Sequence, residues 1–237
     1  MNKREEIAML RRELKRPSVF YHNHIQFRML LWHITIGTSL TFKRTMDILL
    51  ALLAFILGSP LFLITAVLVK ITSPGPIIFS QIRVGRYGRH FKFYKFRSMY
   101  IDAEARKAEL MKHNESKDGV IFKMKHDPRI TPVGRFIRKF SIDELPQLFN
   151  VILGDMSLVG PRPPLPSEVR YYTLEERKRL NVRPGITCLW QVSGRSELPF
   201  QQQMALDKQY ISSRSAWNDF LILLKTIPAI LSGKGAW

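Results

Sequence analysis

Residues 48–69 carry no charged side chain, and this uncharged run constrains the fold more than any other feature of the sequence. The run is 22 residues long and is rich in Leu, Ile, Ala and Phe. About 20 consecutive apolar residues are enough for a helix to span the hydrocarbon core of a bilayer. A cleavable signal peptide is not expected, because the run starts far from Met1 and no small-residue cleavage pattern follows it. The sequence therefore predicts a membrane-embedded segment.

A helix break is predicted near the middle of this run, at Ser59 and Pro60. Pro60 lacks a backbone donor and its ring clashes with the preceding turn, while the Ser59 hydroxyl can bond a carbonyl that is left free. Basic residues flank the run on both sides, so the positive-inside rule places neither end outside. We favour a re-entrant helix-break-helix with both ends in the cytoplasm; a kinked spanning helix and a buried core helix stay open. The flanking cations are Lys3, Arg4, Arg11, Arg12, Lys15, Arg16, Lys43 and Arg44 before the run and Lys70, Arg83, Arg86 and Arg89 after it.

The net charge is the most unusual feature of the composition. Lys and Arg number 37 against 19 Asp and Glu, which leaves a formal charge of +18. This excess indicates a polyanionic neighbour, either nucleic acid, anionic lipid or a phosphorylated substrate. The single cysteine, Cys188, excludes an intramolecular disulfide, and the histidines lack the spacing of a His/Cys metal site.

Beyond residue 70 the pattern predicts one compact domain of the α/β class that contains a small sheet. Residues 77–99 are rich in aromatic and β-branched side chains, with turn signals at Gly85 and Gly88, and predict short strands. Residues 102–113 favour a helix by composition.

Two further apolar stretches, at 29–42 and 217–231, predict helices that lie in the membrane interface or pack on the core. Both are too short to span a bilayer. The predicted organisation is a partly interfacial N-terminal extension at 1–42, a re-entrant membrane hairpin at 43–70, and a cytoplasmic domain with interfacial helices at 71–237.

A strip at residues 83–97 alternates six cations with five aromatic residues and contains no acid. Cations attract phosphate and exposed rings stack on bases, so the strip suits RNA, lipid headgroups or a nucleotide. The alternative is a solvated strand face that lies beside an anionic membrane. Each cation near the leaflet there contributes about 1 kcal/mol to membrane binding.

Two adjacent acids, Asp143 and Glu144, follow a cluster of cations that includes Arg138. One interpretation is a capping box from Ser141 to Glu144 at a helix start. The other is chemical: an aspartate there can act as a nucleophile on phosphorus, and a neighbouring carboxylate can hold Mg²⁺. Neighbours on a helix diverge by about 100°, so the two acids are expected to do different jobs rather than to flank one bond as a glycosidase pair does.

Two residues further along the chain extend this candidate site. Asp155 is a second candidate Mg²⁺ ligand beside Glu144. Arg162 lies between Pro161 and Pro163 in a stiffened loop, where its planar guanidinium can bind a phosphate.

The sequence resembles the bacterial monotopic phosphoglycosyl transferases, which are polyprenyl-phosphate sugar-1-phosphate transferases. Blocks that carry the resemblance occur in order from the membrane segment almost to the C-terminus. They are Lys-Arg-Thr-Met-Asp at 43–47, Ser59-Pro60, Gly-Pro at 75–76, Phe-Ser-Gln at 79–81, Arg-Val-Gly at 83–85, Lys-Phe-Arg-Ser-Met at 95–99, Ser-Ile-Asp-Glu-Leu-Pro-Gln at 141–147, Gly-Asp-Met-Ser-Leu-Val-Gly-Pro-Arg-Pro at 154–163, Arg-Pro-Gly-Ile-Thr at 183–187 and Trp-Gln-Val-Ser-Gly-Arg at 190–195.

The resemblance implies a two-step exchange at the cytoplasmic face of the bacterial inner membrane. Asp143 would attack a UDP-sugar, release UMP and pass the sugar phosphate to undecaprenyl phosphate, which starts exopolysaccharide, capsule or O-antigen synthesis. Glu144 would assist as Mg²⁺ ligand or base, and the block at 190–195 favours UDP-glucose or UDP-galactose over an N-acetylhexosamine. Cys188 departs from the glycine that is common in the family at this point. The phosphate- or nucleotide-binding candidates are Lys95, Arg97, Arg138, Arg162, Arg183, Gln191 and Arg195.

Anionic membrane lipids are further expected partners, nucleic acid is not, and a homo-oligomer is compatible with the sequence. The rival interpretation is a membrane-tethered nucleic-acid-binding protein that uses the strip at 83–97. Such a binder would show steep salt-dependent RNA affinity and would be indifferent to Asp143→Asn.

Overall fold

A computed structural model describes residues 19–110, 112, 124, 126–233 and 235. Residues 1–18 of the predicted extension and the end of the helix predicted at 102–113 lie outside this part. The chain divides into two units, Met1–Arg44 and Thr45–Trp237. The second unit contains the proposed site.

The first helix, α1, is Val19–Thr72 and contains Pro60. Its Gly37–Thr72 part is long and apolar enough to cross a membrane, with a mean hydropathy of 2.5 in its most apolar window. It is the one such helix in the described part of the chain. The helical backbone continues through Ser59 and Pro60, so the predicted interruption is not confirmed.

The uncharged run packs on the rest of the second unit along one face only. Ala51 lies in the main apolar cluster and Val69 in a second cluster with Phe96. Phe62 packs against both clusters, with its ring centroid 5.8 Å from that of Phe96. Leu57 and Leu63 are 71% and 67% exposed. The run therefore presents these leucines away from the protein.

A β-hairpin follows α1, as the aromatic and β-branched pattern predicts. Strands β1 (Ile78–Val84) and β2 (His90–Phe96) are antiparallel, and the turn between them is a 3₁₀ helix at Arg86–Gly88. Gly88 has a φ of 77° in this turn, which suits a residue without a Cβ.

Helices make up most of the remaining structure, so the α/β prediction is confirmed only in that small sheets are present. A second sheet pairs β3 (Ser157–Val159) in parallel with β4 (Gly185–Thr187). The helices are α2 (Ala103–Leu110), α3 (Pro132–Lys139), α4 (Gln147–Leu153), α5 (Pro166–Val169), α6 (Leu174–Arg177), α7 (Phe200–Ser212) and α8 (Ala216–Ser232), with further 3₁₀ helices at Ile142–Glu144, Lys178–Asn181 and Arg195–Glu197.

Asn150 joins α4 to β2 and so fixes the strand that carries Lys95. Its buried amide Nδ2 donates to the Lys92 carbonyl at 2.7 Å, and its Oδ1 accepts from the Tyr94 amide at 3.2 Å. Leu148 and Val151 of the same helix pack in the main cluster. Because both ends of this buried amide are hydrogen-bonded, α4 packs on β2 in one specific register.

Helix α8 leaves one apolar face uncovered by the described part of the chain. Ile222 is buried, whereas Trp217, Phe220, Leu224, Ile227 and Leu231 are 47–69% exposed. These residues recur at helical spacing. Of the two alternatives for this stretch, an exposed apolar face favours the membrane interface over packing on the core.

Gly134 allows α3 to approach the end of β2, and we expect Gly134→Ala to destabilise the fold. An added Cβ would lie 1.9 Å from the carbonyl oxygen of Ser98, which is backbone and cannot move aside. The expected loss is about 1–3 kcal/mol in the free energy of unfolding, measured by denaturant unfolding in detergent. Gly37→Ala is the matched helical control, because no atom lies within 4 Å of its added Cβ. Equal stability of the two variants would contradict the close approach.

Candidate active site

Asp143 and Glu144 lie in the 3₁₀ helix between α3 and α4, directly after a residue in an uncommon conformation. Ser141 has a φ of 54° and a ψ of 21°, in the left-handed region. Its side chain makes no capping hydrogen bond, and the Glu144 carboxylate turns instead to Lys95. The capping-box interpretation is therefore wrong. Strained conformations of this kind concentrate at functional sites.

One ammonium group contacts both carboxylates. Lys95 Nζ lies 2.7 Å from Glu144 Oε1 and 3.4 Å from Asp143 Oδ2. Its side chain also lies 5.6 Å from the centroid of the Phe93 ring. The two acids therefore share one cation.

Arg162 reaches the same carboxylate from the loop after β3. Its Nη1 lies 3.3 Å from Glu144 Oε1, the oxygen that also contacts Lys95. Two further predicted residues interact with the pair through charge. Burial raises the pKa of Asp143, and Arg138 is one of the cations that oppose this rise. Burial lowers the pKa of Arg195, and the charge of Glu144 opposes this in part.

The two carboxyl groups differ in basicity. Burial raises the pKa of Asp143 above its ordinary value; Lys95 opposes this and the charge of Glu144 adds to it. Burial acts on Glu144 in the same direction, but Lys95 and Arg162 outweigh it and lower its pKa to about 2. Glu144 is therefore a fixed anion at neutral pH. Asp143 is the more basic and hence the better nucleophile of the two.

The donor atoms present fit Mg²⁺ held jointly by the protein and a substrate. The described residues contain no group of three or more His, Cys, Asp or Glu that would form an all-protein site. Mg²⁺ is commonly held by one or two carboxylates plus substrate phosphates, and both cations that contact Glu144 do so through Oε1. Asp155 lies beyond the far end of α4, where its Oδ2 accepts from Asn150 Nδ2 at 3.5 Å. The structure thus shows no contact that brings Asp155 to Glu144.

Arg97 has a structural role that differs from the predicted one. Its Nη1 and Nη2 donate to the carbonyls of Pro74 and Ser73, at 2.8 and 2.5 Å. These carbonyls follow the end of α1, and Arg97 is buried against them. Because its guanidinium satisfies backbone carbonyls, Arg97 is not placed to bind phosphate. The Lys-Phe-Arg pattern alone does not distinguish the two uses.

Two other predicted residues contact loops around the site. Arg183 Nε donates to the Gly154 carbonyl at 3.2 Å, and Gln191 Oε1 accepts from Cys188 Sγ at 3.1 Å. A buried ion pair between Arg179 and Asp207, 2.7 Å apart, has no signal in the sequence. These partners lie on separate elements and match no local motif.

We expect Lys95→Met to remove up to about 3 kcal/mol from the free energy of unfolding at pH 7, because two buried carboxylates lose their shared cation. The lowered pKa of Glu144 stabilises the native fold above pH 4.5 and this contribution is lost as pH falls toward about 2. The deficit of the variant is thus largest at neutral pH and shrinks below pH 4.5. Denaturant unfolding across this range measures it, with exposed Lys92→Met on the same strand as control. A pH-independent loss equal to that of the control would refute the role of Lys95.

Comparison with known proteins identifies relatives across most of the chain. Residues 38–233 match the family model described as "Bacterial sugar transferase". The galactosyl transferase CpsE of Streptococcus agalactiae is 55% identical over 163 residues, which are 68% of this chain and 36% of that protein. The undecaprenyl-phosphate galactose phosphotransferase of Salmonella typhimurium is 45% identical over 202 residues, with 82% and 41% coverage.

A third relative is the UDP-glucose:undecaprenyl-phosphate glucose-1-phosphate transferase of Caulobacter vibrioides, 40% identical over 204 residues with 82% and 72% coverage. The chain thus spans less than half the length of the first two relatives and most of the third. The family match covers the membrane segment, the paired carboxylates and α8. The chain therefore belongs to the bacterial sugar transferase family.

Proposed function

We propose that this chain transfers a sugar-1-phosphate from a UDP-sugar to undecaprenyl phosphate, as the first membrane step of exopolysaccharide, capsule or O-antigen synthesis. The observation that carries the proposal is the buried pair of Asp143 and Glu144 with one shared ammonium, 3.4 and 2.7 Å away. Such a pair supplies a basic carboxylate beside a fixed anion. Phosphoryl transfer requires little beyond a nucleophile, positioning and neutralisation of charge.

In the first step, an oxygen of Asp143 attacks the β-phosphorus of the UDP-sugar. The bond from that phosphorus to the bridging oxygen breaks, and UMP leaves with the electron pair. The product is an acyl phosphate, in which the sugar-1-phosphoryl group is joined to the Asp143 carboxylate. Lys95 and Arg162, both within 3.5 Å of the carboxylates, are placed to stabilise negative charge on the phosphoryl oxygens.

In the second step, a phosphate oxygen of undecaprenyl phosphate attacks the same phosphorus. The bond to Asp143 breaks, the carboxylate is regenerated, and a diphosphate-linked lipid forms. Lys95 and Arg162 keep Glu144 ionised. Between the two steps, the Glu144 carboxylate in turn orients these two cations. A pKa of about 2 makes Glu144 a poor base toward the acceptor, so the proposed role of Glu144 is that of an anion that holds cations.

Mg²⁺ is the proposed cofactor, held by Glu144 together with phosphate oxygens of the donor. When bound, it would neutralise charge on the diphosphate and so make UMP a better leaving group. Asp155 is a weaker candidate ligand because its contact is with Asn150.

The membrane arrangement we propose is a re-entrant hairpin. Residues near both ends of the uncharged run pack on the second unit, while Leu57 and Leu63 in its middle are exposed. The rings of Phe55 and Phe62 are 5.1 Å apart, although seven residues of a straight helix rise by about 10.5 Å. A bend near Pro60 accounts for both observations. The exposed face of α8 and the charge of +18 suit an anionic leaflet at the cytoplasmic face of the inner membrane.

The proposed donor is UDP-galactose or UDP-glucose. The names of the relatives in Salmonella typhimurium and Caulobacter vibrioides support these two sugars.

The nucleic-acid-binding alternative is not supported, because many side chains of the strip at 83–97 are buried or hydrogen-bonded within the protein. Phe91, Phe93 and Phe96 are buried and cannot stack on bases. Arg83 donates to the Pro163 carbonyl, and Arg97 binds carbonyls after α1.

We expect UMP release from one UDP-sugar, with Mg²⁺ and undecaprenyl phosphate, to be abolished by Asp143→Asn. An amide in place of the carboxylate keeps the shape and removes the nucleophile. Release is measured on detergent-solubilised protein with a panel of UDP-sugars, and exposed Asp102→Asn is the matched control. With donor labelled at the β-phosphate and no acceptor, the label should stay on the native chain and not on the variant. Normal turnover by Asp143→Asn would exclude the covalent step.

We expect both ends of the membrane segment to be inaccessible from outside the cell. Single cysteines at Asn2 and Ser212, in a Cys188→Ser background, are treated with a membrane-impermeant thiol reagent on intact and on permeabilised cells. A hairpin predicts labelling of both positions only after permeabilisation. Labelling of one end alone on intact cells would show a spanning helix instead.

A further inference from the structure

The loop that carries Arg162 is fixed through every backbone carbonyl from Pro161 to Pro164. Three of its four residues are proline and have no N–H to donate, so its backbone is held through its acceptors. Two of the four donors are backbone amides and two are arginine side chains. The bonds run from Gly185 N to Pro161 O at 3.0 Å, Arg179 Nη2 to Arg162 O at 2.9 Å, Arg83 Nη1 to Pro163 O at 3.1 Å and Val84 N to Pro164 O at 2.9 Å.

Arg179 holds the central carbonyl of this loop, and α7 holds Arg179. The same Nη2 lies 2.7 Å from Asp207 Oδ2, and Nη1 donates to the Tyr172 hydroxyl at 2.8 Å. Arg179 is 8% exposed and Asp207 1%. One planar guanidinium thus connects α7, Tyr172 and the backbone of Arg162.

A buried ion pair is poor evidence for stability, because desolvation of the two charges offsets their attraction. The Asp207 carboxylate accepts no hydrogen bond from the described residues, so it holds Arg179 through charge. The rigid fork of Arg179 fixes the Arg162 carbonyl and the Tyr172 hydroxyl, to which Nη2 and Nη1 donate. Burial raises the pKa of Asp207 to about 6, so the pair remains ionic at neutral pH. The carbonyl that the pair holds belongs to the residue whose guanidinium contacts Glu144 Oε1 at 3.3 Å.

We propose that the Arg179–Asp207 pair is a positioning device that holds the Arg162 loop so that the Arg162 guanidinium faces Glu144 and the donor diphosphate. Neither Arg179 nor Asp207 contacts the carboxylate pair, so both act through Arg162. This inference rests on the proposed function for its catalytic consequence. The fixing of the loop itself does not depend on that function.

The first test needs no turnover. Asp207→Asn should speed hydrogen exchange at the amides of Val84 and Gly185, which donate to the two ends of the loop. The control is Asp127→Asn, which removes a charge from another buried Arg–Asp pair, Asp127 with Arg129, also at 2.7 Å. Exchange at Val84 and Gly185 should be faster in the first variant than in the second at equal global stability. The same exchange rates in both variants would overturn the proposal.

The second test asks whether the effect on UMP release passes through Arg162. Asp207→Asn should lower turnover about 10- to 100-fold, in line with a displacement of about 1 Å at a reacting group. In an Arg162→Ala background the same substitution should have little further effect, because the two changes remove one function. Independent, multiplying effects would overturn the proposal.

Arg179→Lys separates charge from geometry and guards against a variant that does not fold. A lysine keeps a cation beside Asp207, but its compact ammonium cannot reproduce the planar fork. We expect native-like unfolding with faster exchange at Val84 and Gly185 and reduced UMP release. Unchanged exchange in this variant would contradict the proposal. If the native chain releases no UMP, the proposed function fails, while the exchange result still decides whether the pair fixes the loop.

Discussion

The buried carboxylate pair depends on one ammonium group. Asp143 and Glu144 are adjacent in the chain and both largely buried, and Lys95 contacts each of them. Without a cation between them, burial would force at least one to protonate. The surrounding fold brings this cation to the pair: Asn150 fixes strand β2, and the left-handed Ser141 turns the carboxylates toward it. The site is therefore a product of tertiary structure, although its acids are neighbours in sequence.

The same strand connects the site to the membrane segment. Lys95 contacts the carboxylates, and two residues later Arg97 binds the carbonyls of Ser73 and Pro74 after α1. A displacement of β2 would move both contacts together. Under the proposed function, this coupling sets the nucleophile at a fixed depth relative to the bilayer, where the phosphate of a lipid acceptor lies.

Local chemistry explains which parts the sequence predicts. The hairpin follows from aromatic and β-branched residues around Gly85 and Gly88, and α4 ends at Gly154, whose φ is 97°. Asp143 and Glu144 are recognisable in the sequence because two adjacent carboxylates after a cationic cluster are unusual. The capping box was wrong because Lys95 offers Glu144 a charged partner, which no spacing rule reveals. The sequence pattern likewise does not reveal that Arg97 binds backbone carbonyls or that Arg179 pairs with Asp207, since these partners are distant in sequence.

The loop from Pro161 to Pro164 differs in kind from a glycine-rich phosphate-binding loop. In a glycine-rich loop the backbone amides hold the anion, and a change of side chain leaves them in place. Here three prolines supply no amide hydrogen, and the carbonyls are already engaged by Gly185, Arg179, Arg83 and Val84. The capacity of this loop to recognise an anion therefore resides almost wholly in one side chain. Under the proposed function, a single substitution at Arg162 would remove this capacity while leaving in place the four hydrogen bonds that fix the loop backbone.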